Sequence, residues 1–304
     1  HLFTPTPAIR MGGASFPRSN AGRNPANGAV VRYSLAEALP DSVPLTLEFL
    51  GVDGRVLRKF SRKGEVLADT LDALGDPVKP GVGRKLEAKA GLNSFTWDLR
   101  QPDATSFSGI VLWGGGLEGP VVTPGDYQAR LTVGQRPPQT VPLVVKKDPR
   151  LATTDDDFAR QQALLLRIRD KLTETHDATS RIRDVREQLD AVVARAKRIG
   201  KGKVLADSAQ ALSKRLTAVE EALYQTKSKA EEDPLNFPIR LNNKLSLLGE
   251  TVASADARPT DQSYVVYDDL VAKIDAQLQK LRGLLGDGVA AFNRLVAEQG
   301  VPAV

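Results

Sequence analysis

The sequence predicts two folded parts in succession, an antiparallel, immunoglobulin-like β-sandwich and then an antiparallel four-helix bundle. Apolar and polar residues alternate in short runs between turn signals as far as about residue 147, which is typical of strands. Beyond about residue 152, apolar residues recur in steps of three and four, which is typical of packed helices. The predicted boundaries are 1–26 for an extended linker or strap, 27–148 for the sandwich and 152–299 for the helical bundle.

The first 26 residues predict a linker or strap because they hold four prolines and three glycines and show neither a strand nor a helical period. A chain that starts within such a segment suggests a piece of a longer protein. The segment also lacks the continuous apolar stretch of a signal peptide. No run in the chain approaches the ~18 apolar residues of a membrane-spanning helix, so the sequence predicts no membrane span.

The β part is predicted from alternating runs that are separated by turns. Asp53-Gly54 supplies the positive φ angles of a tight hairpin turn, and Gly134–Pro138 is the loop of a second hairpin. Asp76–Lys89 and Gly114–Gly116 are predicted as irregular insertions. The predicted strands lie within Ala29–Leu35, Pro44–Leu50, Val56–Phe60, Gly91–Arg100, Asp126–Val133 and Thr140–Lys146.

The helical part is predicted to begin after a junction at 148–150, where the apolar period changes. Thr153–Asp157 places capping and acidic residues at a helix start, where the helix dipole favours negative charge. The first helix is predicted over about 155–198, roughly 65 Å at 1.5 Å per residue, and Gly200 and Gly202 end it. Three further helices follow, and three glycines weaken the last of them. They span Leu205–Leu223, Leu241–Leu248 after Pro238, and Tyr267–Val296.

Composition excludes much enzyme chemistry. The chain has no cysteine and two histidines, His1 and His176. Disulfides, thiolate metal sites and cysteine nucleophiles are therefore excluded, together with histidine-rich metal centres and most histidine-based acid–base schemes. His176 is interpreted as a helix-surface or bundle-edge residue. The sequence accordingly predicts no catalytic, cofactor-binding or metal-binding residue.

The net charge of +5 does not favour nucleic-acid binding. Residues 1–150 hold 19 basic and 14 acidic residues, and the rest of the chain holds 23 of each. Nucleic-acid sites usually interleave clustered basic residues with aromatic ones. The basic cluster within Arg55–Lys63 contains one aromatic residue, Phe60, and is interpreted as a solvated strand face and turn.

Three patterns that could carry chemistry have simpler interpretations. Gly81-Val82-Gly83 lacks the third glycine of a phosphate loop and is interpreted as an ordinary loop. Asp155–Asp157 lacks the spacing of a calcium loop and is interpreted as helix capping. A carboxylate pair for glycoside hydrolysis could draw on Asp98, Glu118 or Asp126, but nothing local fixes their separation.

Two segments, Gly91–Arg100 and Asp233–Lys244, have distinctive sequences that do not suggest catalysis. In the first, Trp97 alternates in phase with Phe95, which predicts a core residue of the sandwich. Asp98 and Arg100 are predicted on the opposite face, paired with each other or with a neighbour. The other segment, Asp233–Lys244, predicts a kinked, proline-rich helix entry that packs within the bundle. The motif residues interpreted as structural are Asn93, Trp97, Asp98, Arg100, Trp113, Pro124, Gly125, Tyr127, Asp148, Pro149, Arg150, Pro238, Asn242 and Lys244.

Six stretches carry a resemblance to a known family, and they read NPANGAVVRYSL, GLNSFTWDLR, TPGDYQARLTV, VKKDPR, PLNFPIRLNNKLSLL and RPTDQSYVVYDDL. From His1 to about Leu281 the chain resembles the C-terminal region of large bacterial secreted proteins labelled glycosyl hydrolases or sortilin-like, neuraminidase-repeat β-propeller proteins. A long propeller precedes this region in the family, and this chain lacks the propeller's Ser-x-Asp-x-Gly-x-x-Trp repeat. The resemblance implies that any hydrolase activity belongs to the missing propeller.

The expected role is non-catalytic. The chain is expected to be an accessory or interaction module of an extracytoplasmic β-propeller protein, or a separate subunit docked in a larger assembly. The implied partner is a protein, either the propeller domain or other assembly subunits. The alternative is a carbohydrate-binding module attached to a glycoside hydrolase, which a row of exposed aromatic residues would favour. The resemblance and the lack of cysteine imply a periplasmic or secreted location.

Overall fold

A computed structural model describes residues 1–11, 27–64, 70–71, 77–78, 84–230 and 232–301 of the 304-residue chain. Its strands are β1 (Ala8–Arg10), β2 (Ala29–Leu35), β3 (Leu45–Gly51), β4 (Val56–Ser61), β5 (Thr70–Leu71), β6 (Pro77–Val78), β7 (Gly91–Trp97), β8 (Gly125–Val133) and β9 (Gln139–Lys147). Its helices are α1 (Asp155–Arg198), α2 (Gly202–Leu223), α3 (Leu241–Ala253), α4 (Asp261–Gly283) and α5 (Val289–Glu298), with a 3₁₀ turn at Asp233–Leu235 and a π-helical turn at Leu284–Gly288. Of the helices in these described ranges, none has the length and apolar character to cross a membrane.

The predicted antiparallel, immunoglobulin-like sandwich is wrong. Five strands form one curled, half-barrel sheet in the order β1-β9-β8-β3-β4, and this sheet is mixed because β1 runs parallel to β9. β2 and β7 form a separate antiparallel pair, and so do β5 and β6. The prediction failed because β1 lies in the segment predicted as a linker, and three residues are too few to show a strand period.

The curled sheet and the β2–β7 pair share one apolar core. Trp97 of β7 is fully buried and stacks on Phe49 of β3, with ring centroids 4.2 Å apart. Phe95 of β7 packs on Phe60 of β4 at 4.6 Å. The alternation that predicts a core position for Trp97 is confirmed, and aromatic contacts join the two sheets.

The helices form close to the predicted positions, but the predicted four-helix bundle is wrong. α2 packs on the C-terminal half of α1, where Arg186 Nη1 donates to Thr217 Oγ1 at 2.8 Å. α3 packs on the N-terminal half, where Gln161 Nε2 donates to the Val252 carbonyl at 2.8 Å. Because α1 has 44 residues whereas α2 has 22 and α3 has 13, these two helices follow one another along it. α4 packs on α1, α2 and α3, and α5 packs on α2, so the helices do not form one set of four side by side.

The turn between α1 and α2 is a tight hairpin built on two glycines. Gly200 has a φ of 76°, and the amides of Gly200 and Lys201 both bond back to the last turn of α1. A Cβ at Gly202 would lie 2.4 Å from Lys197 Cγ, so α2 begins directly against α1. The turn places residues 195–204, which we name the hairpin tip, at the end of a helix roughly 65 Å long.

A long connection between β7 and β8, residues 101–122, lies on the helices, and we name it the cover segment. Asn243 of α3 accepts a bond from the Trp113 amide at 2.7 Å and donates to the Trp113 carbonyl at 3.2 Å. Ser246 donates to the Gly116 carbonyl at 3.0 Å. Buried polar side chains of α3 therefore hold the cover segment in place.

Substitution of Gly115 in the cover segment tests this contact. Its φ is 69°, and a Cβ there would lie 2.3 Å from Ser246 Oγ and 2.8 Å from the Ser246 backbone. We expect Gly115→Ala to lower the free energy of unfolding by about 2–5 kcal/mol, because left-handed backbone strain adds to overpacking. Urea unfolding followed by circular dichroism measures the loss.

Gly109→Ala is the matched control. Gly109 has a φ of 74°, but no atom lies within 4 Å of its Cβ position. We expect this variant to lose only the backbone term, about 1–2 kcal/mol. Equal losses in the two variants would show that Gly115 does not press on α3.

Candidate functional site

The hairpin tip concentrates positive charge. Residues 191–206 contain no acidic residue. The tip lies beside the end of α5, where Lys201 Nζ donates to the Gln299 carbonyl at 2.7 Å. Its five cations fall within nine residues of sequence, and they are Arg195, Lys197, Arg198, Lys201 and Lys203.

Two exposed apolar side chains lie among these cations. Ile199 is 47% exposed and Val204 is 52% exposed. They flank the turn that Gly200 and Gly202 form. The cations of such a surface attract acidic partners, and its exposed apolar side chains can be buried when a partner binds.

The positive charge at the tip is unfavourable for α2 itself. Lys201 is the N-cap residue, makes no capping bond with its side chain, and precedes a first turn without acidic residues. The start of a helix carries partial positive charge. An acidic residue there would stabilise the helix by ~0.3–1 kcal/mol, whereas a cation destabilises it. Residues that break a local stability rule are expected at functional sites. The run of cations is visible in the sequence, like the basic cluster within Arg55–Lys63.

A cleft of ≈ 700 Å³ lies between the sheets, the cover segment and the helices. It brings together Asp98 and Glu118, two of the three carboxylates considered for glycoside hydrolysis, whereas Asp126 is not part of its lining. Asp98 forms an ion pair with Arg84 and accepts a bond from the Arg100 amide at 3.2 Å. These bonds hold the turn that follows β7.

Arg10 lines the same cleft and joins β1 to the helices. Its guanidinium donates to Asp256 at 2.6 and 3.0 Å and to Gln161 Oε1 at 2.9 Å. It also donates to the carbonyls of Val121 and Val122 at 3.2 and 3.0 Å. The side chains of Arg10 and Asp256 are only 7% and 9% exposed. This buried ion pair fastens the N-terminal segment, the cover segment and the helices to one another.

Asp98 and Arg100 do not pair with each other, and each binds a neighbour instead, which is the second of the two predicted alternatives. β7 ends at Trp97, and Leu99 has a φ of 64°. The burial still alternates, because Leu99 is buried like Trp97 whereas Asp98 and Arg100 are half-buried. Trp97 Nε1 donates to the Arg100 carbonyl at 2.9 Å and closes the turn. The Arg100 side chain donates to the Gly119 carbonyl at 2.8 Å instead of pairing with Asp98.

His176 is fully buried, so its interpretation as a surface or edge residue is wrong. Nδ1 lies 2.5 Å from the Thr105 carbonyl, and Nε2 lies 3.3 Å from Asn242 Nδ2. These partners fit a neutral imidazole that donates from Nδ1 and accepts at Nε2. Burial lowers the pKa of His176. The prediction failed because the cover segment, which includes Thr105, lies over this face of α1.

Several other motif residues hold turns. Asn93 is buried and bonds to the backbone of the turn before β7. The Tyr127 hydroxyl donates to the Thr123 carbonyl at 2.7 Å. Hydrogen bonds from Arg150, whose guanidinium lies 2.5 Å from Asp148, lower the pKa of Asp148 to about 2.

The remaining motif residues mark the ends of elements. Pro124 and Gly125 lie at the start of β8, and Pro149 lies in the turn between β9 and α1. The Pro238 carbonyl accepts a side-chain bond at 2.8 Å just before α3, on which Lys244 is exposed.

Asp155–Asp157 acts as predicted, whereas Gly81-Val82-Gly83 lies outside the described residues. The acidic run at the start of α1 caps the helix, because Asp157 and Thr154 form reciprocal bonds of a capping box. Hydrogen bonds from Thr154 and Arg258 lower the pKa of Asp157 to about 2. Across the part of the chain that the structure describes, no group of three or more His, Asp or Glu side chains could hold a metal ion.

Comparisons with known proteins add little. No protein-family model matches the chain, and no curated protein matches it. A solved structure titled pT26-6p is 11% identical, with a TM-score of 0.18, and the match covers 90% of this chain. This chain spans 47% of that chain's length, about half.

Proposed function

We propose that this chain is a non-catalytic interaction module that docks on a protein partner through the hairpin tip. The observation that carries the proposal is the set of five cations around exposed Ile199 and Val204 at the end of α1 and α2. The resemblance supports a partner that is the propeller of an extracytoplasmic protein. Alternatively, the chain is a separate subunit that docks in a larger assembly through the same surface.

Charge and apolar area together define the partner's chemistry. A cationic surface steers an acidic partner towards it and speeds association. The partner surface is therefore acidic, with an apolar centre that covers Ile199 and Val204. The cost of placing Lys201 and Lys203 at the start of α2 supports a binding role, since docking neutralises the charges that destabilise the free helix.

Charge reversal at the tip tests the proposal. We expect Lys201→Glu/Lys203→Glu to weaken partner binding at least about tenfold, the equivalent of roughly 1.4 kcal/mol. The same variant should unfold at a similar urea concentration, because acids at the start of α2 offset the lost bond from Lys201 to the Gln299 carbonyl. The chain is tagged, its co-purifying partner is identified by mass spectrometry, and the dissociation constants are measured with purified components.

The matched control is Lys214→Glu/Arg215→Glu, an equal charge change at exposed positions of α2 away from the tip. It should bind like the original chain. The proposal fails if the tip variant binds as tightly as the control, or if no stoichiometric partner is found. Turnover of a glycoside by the isolated chain, abolished by one substitution at Asp98 or Glu118, would also contradict it.

A carbohydrate-binding module is the second candidate function, and the cleft favours it. The cleft gathers carboxylates and the Arg100 guanidinium, groups that can exchange hydrogen bonds with sugar hydroxyls. A glycan array tests this role. Binding of one glycan class that Glu118→Gln removes would support the module, and an array without binding would exclude it for the glycans tested.

A further inference from the structure

A second cavity, of ≈ 540 Å³, lies where the cover segment meets the C-terminal end of α2. Arg183 and Arg186 of α1 and Lys229 from the connection after α2 line it. Glu220 of α2 is the acidic residue in its lining. Three cations and one carboxylate leave this cavity with an excess of two positive charges.

Glu220 fixes the two arginines side by side. Its side chain is 1% exposed, with Oε1 2.7 Å from Arg183 Nε and Oε2 2.9 Å from Arg186 Nη1. Arg183 Nη1 also donates to the Ser108 carbonyl at 3.0 Å. Within the described residues, the Nη2 groups of Arg183 and Arg186 have no hydrogen-bond partner, so each guanidinium keeps donors for a ligand.

The site is held in place before any ligand binds. The Arg183 guanidinium lies over the Phe107 ring at 4.7 Å and near the Tyr224 ring at 5.6 Å. The Tyr224 hydroxyl donates to the Gly109 carbonyl at 3.0 Å and accepts from the Val111 amide at 3.1 Å. A guanidinium fixed by stacking loses less freedom when it binds, which favours affinity.

We propose that this cavity binds the phosphate group of a small soluble phosphomonoester. A phosphomonoester carries about −1.5 to −2 charges at pH 7 and offers three acceptor oxygens, which matches the charge excess. Two guanidiniums and an ammonium can donate hydrogen bonds to these oxygens. The hydroxyls of Thr217 and Thr226 lie in the same lining. The cavity volume falls in the range of small-molecule sites, which leaves room for the organic part of the ligand. This site is separate from the hairpin tip and does not depend on the docking role.

Calorimetric titration of the full chain tests the proposal with three probes, glucose 6-phosphate, inorganic phosphate and glucose. Glucose 6-phosphate should bind and glucose should not. Tighter binding of glucose 6-phosphate than of inorganic phosphate supports the monoester. Equal affinities would assign the site to free phosphate and overturn the monoester part of the proposal.

Lys229→Gln is the main variant because Lys229 is exposed and its loss leaves the fold intact. It should weaken glucose 6-phosphate binding about tenfold, as expected for one charge-assisted hydrogen bond. Lys227→Gln removes the same charge two residues away, outside the cavity lining, and should bind like the original chain. Arg186→Gln/Glu220→Gln keeps the charge excess of two but removes one guanidinium and the carboxylate that positions the other, and it should weaken binding at least as much as Lys229→Gln. No binding at 25 °C to the original chain, or equal weakening in both lysine variants, would overturn the proposal.

Discussion

Replacing Trp97 by alanine is expected to lower the free energy of unfolding by about 3–5 kcal/mol, the usual cost of removing a large buried aromatic side chain. Trp97 has no exposed surface and stacks on Phe49 at 4.2 Å. It also meets Tyr127 edge to face at 6.3 Å, and its Nε1 closes the turn at Arg100. Its loss therefore opens a cavity between the two sheets and releases the turn. Urea unfolding measured by circular dichroism gives the value.

Trp113 provides the control for this substitution, since the two are the tryptophans of the chain. Trp113 is 38% exposed, and its contacts with Asn243 are made by backbone atoms. Trp113→Ala should change the free energy of unfolding by at most about 1 kcal/mol, nearer to a surface change than to a core one. A nearly neutral Trp97→Ala would show that its side chain is not part of the shared core.

Replacing Arg10 by methionine is expected to cost about 3–5 kcal/mol, because removing one partner of a buried ion pair leaves the other charge uncompensated. The stranded charge is that of Asp256, whose side chain is 9% exposed. The variant also loses the bonds to Gln161 and to the cover segment. Far-ultraviolet circular dichroism, which reports mainly on the helices, is followed in urea together with tryptophan fluorescence, which reports on Trp97 in the β core and Trp113 in the cover segment.

A double substitution separates the stranded charge from the lost bonds. Arg10→Met/Asp256→Asn should recover at least about 1 kcal/mol relative to Arg10→Met, since no charge is then buried without a partner. Additive losses from the two single substitutions would show that Arg10 and Asp256 do not interact. The two signals should also shift together, because Arg10 bonds to both the β part and α1.

The sequence predicts most strands and helices because each has its own period. It misses β1, since Ala8–Arg10 is too short to show alternation and lies among prolines. It also misses the sharing of α1 by α2 and α3, because heptad steps show that a helix packs without showing on what. The mixed sheet and the packing of the helices both depend on such long-range pairings.

The candidate sites differ in how far they can be predicted from the sequence. The hairpin tip is local, so a run of five cations around two glycines could be recognised by inspection. Asp98 and Glu118 line the same cleft, and His176 is buried, because of the path of the cover segment across the helices. No local pattern fixes that path, because the polar residues of α3 that hold it also suit an exposed helix face.

Hydrogen–deuterium exchange of the chain, alone and with its purified partner, tests the docking role most directly. We expect slower amide exchange in residues 191–206 when the partner is bound, and no such change with Lys201→Glu/Lys203→Glu. Exchange at the cleft around Asp98 and Glu118 should stay the same. Protection confined to the cleft, with unchanged exchange at the hairpin tip, would contradict docking through the tip.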